Sequence, residues 1–123
     1  MPKSILLVDD DRLGIELVRR KLTELGYEVP TADNGAKALD LLQNKIPDLI
    51  ILDVNMPDMN GYSFIMAKNK TPEYNKIPVV MLTAAKDNAP LFKRYGVKGY
   101  LLKPIQMPEL LAKVNEIVGP ANA

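Results

Sequence analysis

Leu49-Ile50-Ile51-Leu52-Asp53 is the stretch on which the fold turns: four consecutive apolar residues closed by a carboxylate. The run is too short and too β-branched for a helix, and it reads as a strand buried on both faces. A carboxylate at its carboxyl end would stand in the crevice where open α/β sheets bind ligands. Working outward, Ile5-Leu6-Leu7-Val8 ends in Asp9-Asp10-Asp11, and Val79-Val80-Met81-Leu82 ends in Thr83. The run around Tyr100-Leu101-Leu102 ends in Lys103. Four strands therefore deliver acid, acid, hydroxyl and ammonium to one edge, the set that a cation and phosphoryl site requires.

Apolar runs alternate with helical patterns from end to end, which predicts an α/β protein, a doubly wound parallel sheet with helices on both faces. Strands are expected near residues 4–8, 27–32, 48–52, 78–82 and 98–102, and helices near 12–25, 36–44, 62–69, 89–95 and 108–118. Gly26 closes the first helix, and Pro108 suits the first turn of the last. Pro30 falls inside the second strand, so that strand should be an edge, where a missing donor is tolerated. An edge second strand is compatible with the order 2-1-3-4-5. That order sets strands one and three side by side and brings Asp9 and Asp10 next to Asp53. No internal repeat or linker interrupts the chain. It reads as one domain over residues 1–119 with a frayed tail at 120–123.

The bulk composition excludes more than it assigns. At 123 residues and 47% hydrophobic content the chain can bury roughly two thirds of its unfolded surface in one core. A net charge of +1, from 16 basic and 15 acidic residues, gives no global attraction to nucleic acid or to an anionic membrane. The absence of Cys removes disulfides, thiol chemistry and zinc-thiolate sites, and fits a reducing compartment. No stretch reaches the roughly 18 apolar residues of a membrane span. The absence of His removes the commonest general base and the usual phosphohistidine donor, so a phosphoryl group must come from another molecule.

Three carboxylates converging at one strand edge repel one another unless a cation joins them. A hard divalent ion with oxygen ligands, Mg²⁺ first (or Mn²⁺), resolves that conflict. The Asp53 carboxylate can then act as a nucleophile toward phosphorus, a reaction governed by positioning and charge stabilisation. Lys103 is placed to neutralise one phosphoryl oxygen, and the Thr83 hydroxyl to donate to another. Asp11 is expected to cap the first helix instead.

With these residues in hand, the chain resembles a receiver domain of bacterial two-component signalling, the phosphoacceptor half of a response regulator. The resemblance rests on Val8-Asp9-Asp10, Asp53 followed by Met56-Pro57-Asp58-Met59-Asn60-Gly61, Leu82-Thr83-Ala84, and Tyr100-Leu101-Leu102-Lys103-Pro104. It covers residues 3 to about 118. It implies a (βα)5, flavodoxin-like fold and phosphorylation of Asp53 by a sensor histidine kinase, a histidine phosphotransfer protein or a small phosphodonor. It implies Mg²⁺ ligation by Asp10, Asp53 and the backbone carbonyl of Asn55, with Asp9 acting largely through water. It implies a cis peptide before Pro104, a cytoplasmic location, and signalling to a downstream effector without direct nucleic-acid or membrane binding. A phosphorylation-dependent homodimer is a further partner it allows.

The resemblance also implies a switch. A phosphoryl group adds about −1.5 to −2 of charge and three acceptor oxygens. Thr83 would move toward those oxygens, and Tyr100 would swing into the vacated space. The face built from the helix near 89–95, the fifth strand and the last helix would change with them. Departures lie in the same region: Ala84 to Tyr95 is short and carries Pro90, which leaves little helix behind it. Asn55 and Ala85 occupy positions that tune acyl-phosphate lifetime in the family, and neither is charged.

In the first helix, Ile15, Val18, Leu22 and Leu25 recur at helical spacing and should form the inward stripe. Leu13 and Leu17 fall roughly opposite, beside Gly14 and close to the Asp9-Asp10 edge. An exposed apolar pair beside a reactive centre suggests a docking patch for a partner helix, and family precedent puts a histidine-bearing bundle there. Arg19-Arg20-Lys21 reads as a solvated face. Three rivals remain. A haloacid-dehalogenase-like phosphatase would use Asp9-x-Asp11, Thr83 and Lys103, but has no role for Asp53. A flavodoxin-like flavin carrier would need a Ser/Thr/Gly-rich phosphate loop in place of three aspartates. A pseudo-receiver used only for binding has no need of the complete residue set.

Overall fold

The computed structural model describes residues 2–54, 61–83 and 96–122, the first two residues of the helix at 61–69 by their backbone alone. The elements run β1 (Ile5–Val8), α1 (Arg12–Glu24), β2 (Thr31–Ala32), α2 (Gly35–Asn44), β3 (Leu49–Asp53), α3 (Gly61–Asn69), α4 (Pro72–Asn75), β4 (Val79–Thr83), β5 (Val97–Leu102) and α5 (Met107–Ile117). The helix expected near 89–95, Pro90, Ala85, Asn55 and the Met56-to-Asn60 motif lie outside the described residues.

All strand pairs are parallel, in the order β2-β1-β3-β4-β5. Successive side chains of a strand point to opposite faces, so a sheet covered on both sides demands apolar residues at every position. That is why the runs of β1, β3 and β4 read as continuous, whereas β5, at the other edge, alternates and leaves Lys98 and Leu102 exposed. Ile5, Leu7, Ile51, Val80, Leu82 and Leu101 pack with residues of α1 and α5 on one face. Leu6, Val8, Ile50, Leu52, Val79 and Met81 pack with residues of α2 and α3 on the other.

Three expectations are corrected. The second strand, expected over 27–32, is regular only at Thr31–Ala32, with an isolated bridge between Ser4 and Glu28. Its edge position stands, and β1 uses it as a row of acceptors: Leu7 N–H donates to the Pro30 carbonyl at 3.0 Å and Asp9 N–H to the Ala32 carbonyl at 3.1 Å. Proline can still accept, so the missing donor costs the ladder little. Leu25 does not join the inward stripe of Ile15, Val18 and Leu22. It is the C-cap of α1 and 48% exposed, because Gly26 (φ 99°) turns the chain left-handed just as the stripe would have come round again. The tail at 120–123 is not frayed up to Asn122. Ala121 is buried, and its carbonyl accepts from Lys3 N–H at 2.8 Å.

Asp11 does take the N-cap position of α1, where its carbonyl accepts from Ile15 N–H at 2.9 Å, but its side chain makes no capping bond. Asn34 caps α2 fully, its side chain accepting from Lys37 N–H at 2.9 Å. The short α4 was not foreseen, although Thr71-Pro72 is an N-cap followed by a first-turn proline. No helix among the described residues is long and apolar enough to cross a membrane.

Candidate functional site

The parallel register decides which side chains meet. Val8 pairs with Leu52, so the next residues, Asp9 and Asp53, leave neighbouring strands side by side. Asp53 pairs with Leu82 and Thr83 with Leu102, which brings Thr83 and Lys103 to the same edge. Lys103 N–H donates to the Thr83 carbonyl at 2.9 Å, and the Lys103–Pro104 peptide bond is cis. The sequence-predicted residues Asp9, Asp10, Asp53, Thr83 and Lys103 are thus gathered at the carboxyl ends of β1, β3, β4 and β5.

Asp53 is 1% exposed and Asp9 3%, while Asp10 faces solvent. Each of the three offers a carboxylate oxygen within 4.8 Å of the others'. Lys103 Nζ lies 3.1 Å from Asp53 Oδ2 and 3.8 Å from Asp9 Oδ2. A set of hard oxygen donors this compact suits a divalent ion such as Mg²⁺, which takes one or two carboxylates and keeps water on its remaining positions. The electrostatics carry the same mark. Burial pushes the Asp9 carboxyl up from its ordinary 3.8 to about 7, the neighbouring Asp53 adds to the rise, and the Asp11 N–H (3.0 Å) and Lys103 oppose it. Burial works against the Lys103 ammonium, yet the carboxylates of Asp53, Asp9 and Asp10 outweigh it and hold its pKa above the usual lysine value.

Tyr100 pairs with Met81, packs against the core cluster of the α2 and α3 side, and is half-buried. Thr83, two residues after Met81, points to that same face of the sheet. The hydroxyl-bearing strand end and the half-buried aromatic therefore share one side of neighbouring strands.

On α1, Leu13 is 74% and Leu17 57% exposed. A cavity of about 250 Å³ runs from Asp9 and Lys103 past Asp11, Gly14 and Leu17 to Ile105. A Cβ on Gly14 would come within 2.9 Å of Asp11 Oδ2, so the glycine leaves room for that carboxylate at the rim. The far wall, Pro104 to Met107, was missed from sequence; its signal was an apolar pair, Ile105 and Met107, directly after Lys103-Pro104. A wider depression of about 400 Å³ on the other flank of α1, lined by Arg12, Glu16, Asp33 and Lys37 among others, holds none of the strand-end groups.

Residues 5–115 match the family described as the response regulator receiver domain. The polar-differentiation response regulator DivK of Brucella anthropi is 32% identical over 123 residues, spanning 98% of this chain and 100% of the relative. Among solved structures, the chemotaxis protein CheY4 of Vibrio cholerae aligns with a TM-score of 0.89 at 34% identity, over 96% of this chain and 100% of its own. The receiver domain of the sensor histidine kinase PA1611 from Pseudomonas aeruginosa PAO1, which holds a magnesium ion coordinated in its active-site cleft, aligns with a TM-score of 0.85 at 26% identity, over 97% and 99% of the two chains.

Proposed function

This chain belongs to the response regulator receiver domain family, and from that premise we propose that Asp53 is its phosphoacceptor, loaded from the phosphohistidine of a sensor kinase or phosphotransfer protein. A bond forms between an Asp53 carboxylate oxygen and phosphorus as the phosphorus–nitrogen bond breaks, and the electron pair leaves with the partner's imidazole. Lys103 opposes the charge on one phosphoryl oxygen during transfer, and the Thr83 hydroxyl donates to another once the phosphoryl group is in place. Asp10 and Asp53 would hold Mg²⁺ or Mn²⁺ together with the carbonyl of Asn55, a residue outside the described ones, and Asp9 would act largely through water. The magnesium ion coordinated in the active-site cleft of the PA1611 receiver supports, by likeness, a divalent ion at this cleft. When bound, it offsets the repulsion between these carboxylates and the incoming phosphoryl oxygens.

The observation that carries this reading is the 3.1 Å contact between Lys103 and a nearly fully buried Asp53, within a cluster of three carboxylates. A dehalogenase-type phosphatase would make Asp9 the nucleophile and leave Asp53 without a task, yet Asp53 is the carboxylate that Lys103 approaches more closely. The remaining parts follow from the same reading. Thr83 and Tyr100 form the switch, the face of β5, α5 and the segment expected near 89–95, which lies outside the described residues, carries the signal outward, and Leu13, Gly14 and Leu17 receive the donor's helix. The site works in the cytoplasm and accepts small phosphodonors. Homodimerisation on phosphorylation belongs to the same proposal.

The test is mass spectrometry after treatment with acetyl phosphate and Mg²⁺. One labile phosphoryl adduct is expected, lost in Asp53→Ala and retained in Asp11→Ala. An adduct mapped to Asp9 would move the assignment to the phosphatase reading.

A further inference from the structure

The two ends of α5 are held in different ways. Its first residues follow directly from Lys103 and Pro104, and among the described residues its N-cap, Gln106, makes no side-chain capping bond. Its last turn lies at the opposite edge of the sheet, where β1 and β2 begin. There the exposed carbonyls of a helix end need donors, and distant parts of the chain supply them. Lys3 Nζ donates to the Val118 carbonyl, and Tyr27 Oη donates to the Gly119 carbonyl at 2.5 Å. Lys3 N–H closes the set by donating to the Ala121 carbonyl at 2.8 Å.

Local sequence makes this docking fit. Gly119 (φ 79°) turns the chain back after α5, and Ala121 then enters the core cluster beside Tyr27 and Val114. Gly26 (φ 99°) receives it: a Cβ there would stand 3.3 Å from Asn122 Nδ2 and 3.4 Å from Ala121 Cβ. Midway along α5 the contact is softer. The flexible stem of Lys113 lies over Gly99 of β5, within 3.1 Å of where a Cβ would be.

We propose that residues 118–121 are a pin that fastens the C-terminal end of α5 to Lys3 and Tyr27, so that α5 moves as a lever about that end. Displacements arising at the Lys103 edge then swing the start of α5 and leave its last turn in place. The pin stands on the contacts above; the swing rests on the reading of Asp53 as the modified residue.

Hydrogen exchange read by mass spectrometry tests both parts in the full chain. Tyr27→Phe keeps the buried ring and removes one donor, and Lys3→Met keeps the stem and removes another. In the unliganded protein the double variant should exchange amides 116–121 about tenfold faster, with 107–112 unchanged. Equal exchange at 116–121 in variant and wild type overturns the pin. Beryllofluoride with Mg²⁺ is then added to both. In the wild type, protection should change over 107–112 and not over 116–121; in the double variant the change should reach 116–121. A wild-type response as large at 116–121 as at 107–112 overturns the lever. A wild type that responds nowhere, including peptides containing Thr83, overturns the Asp53 reading, and the unliganded comparison still decides the pin.

Discussion

The Lys103 amide and the Thr83 carbonyl share a 2.9 Å hydrogen bond, so the two strand ends that present ammonium and hydroxyl to Asp53 are fixed to each other through backbone. Movement of the Thr83 side chain can therefore be separated from the chemistry at Asp53. Thr83→Ala is expected to leave acetyl-phosphate labelling of Asp53 within a few-fold of wild type, while the phosphorylated variant binds its effector more weakly. Losing one hydrogen bond to a charged oxygen corresponds to roughly 1.5–3 kcal/mol in the switch equilibrium. An effector affinity that rises on phosphorylation as much in the variant as in wild type would defeat this role.

Lys103 is the opposite case, since its Nζ contacts the carboxylates directly. Lys103→Met keeps the length of the stem and removes the charge. Labelling by acetyl phosphate should slow by about two orders of magnitude, as is typical when one oxyanion partner is removed. Single-turnover labelling followed on a phosphate-affinity gel checks this. A rate near wild type would mean that Lys103 serves the fold alone.

The Asp9 carboxyl, raised by burial from 3.8 to about 7, gives a pH prediction with a definite sign. Between those values the native state keeps a proton that the unfolded chain has released. Metal-free stability from this group therefore falls as pH rises from about 4 to about 7 and then levels off. A divalent ion must displace that proton, so Mg²⁺ affinity should strengthen from pH 6 to pH 8. Thermal unfolding at pH 5 and pH 8, with and without Mg²⁺, measures both trends. Asp9→Asn should flatten the metal-free one; a wild type no more pH-sensitive than this variant would sink the idea.

How much of this was legible in the sequence follows from where the physics is local. The runs of β1, β3 and β4 were readable because strands covered on both faces favour apolar residues throughout, and the shorter run of β5 because Tyr100-Leu101-Leu102 is apolar although Leu102 is exposed. The terminal residues Asp9, Asp53, Thr83 and Lys103 then had only one edge to occupy. The second strand was overextended because Tyr27, Val29 and Pro30 look strand-like, while an edge strand is paired on one side only and Pro30 cannot donate. Leu25 fitted the helical period, but periodicity is blind to a helix that stops at Gly26. The tail escaped because its partners, Lys3 and Tyr27, are some ninety or more residues away in sequence. Gly-Pro-Ala-Asn-Ala carries no local sign of burial. Nor does the interior of α3, where a lysine took a place that the pattern reserves for an apolar residue.

That lysine, Lys68, is fully buried, and its Nζ donates to Asn69 Oδ1 at 3.0 Å. Burial pulls its ammonium pKa down to about 8. At neutral pH the native state thus carries a charge that water would solvate better. Lys68→Met retains a long unbranched side chain and removes that cost, so it is expected to stabilise the protein by about 1–3 kcal/mol and raise its melting temperature by several degrees. The advantage should narrow as pH rises above about 8, where native Lys68 becomes neutral while the unfolded chain stays charged. A melting temperature that drops in the variant would show that the ammonium makes stronger contacts than its bond to Asn69.

Leu17 tests the docking patch, because it is both 57% exposed and part of the wall of the cavity that opens beside Lys103. An exposed leucine contributes little to the fold, so Leu17→Asp should leave the melting temperature within about a degree of wild type. On a partner helix seated between α1 and Ile105, the same change would bury an unpaired carboxylate, which costs a few kcal/mol in the complex. Transfer from a phosphorylated histidine donor should then fall by an order of magnitude or more. Labelling by acetyl phosphate, which needs no helix, should be unchanged. The comparison of the two donors is what decides, since equal losses would place the defect at Asp53 itself, and equal retention would leave Leu13 and Leu17 as ordinary surface residues.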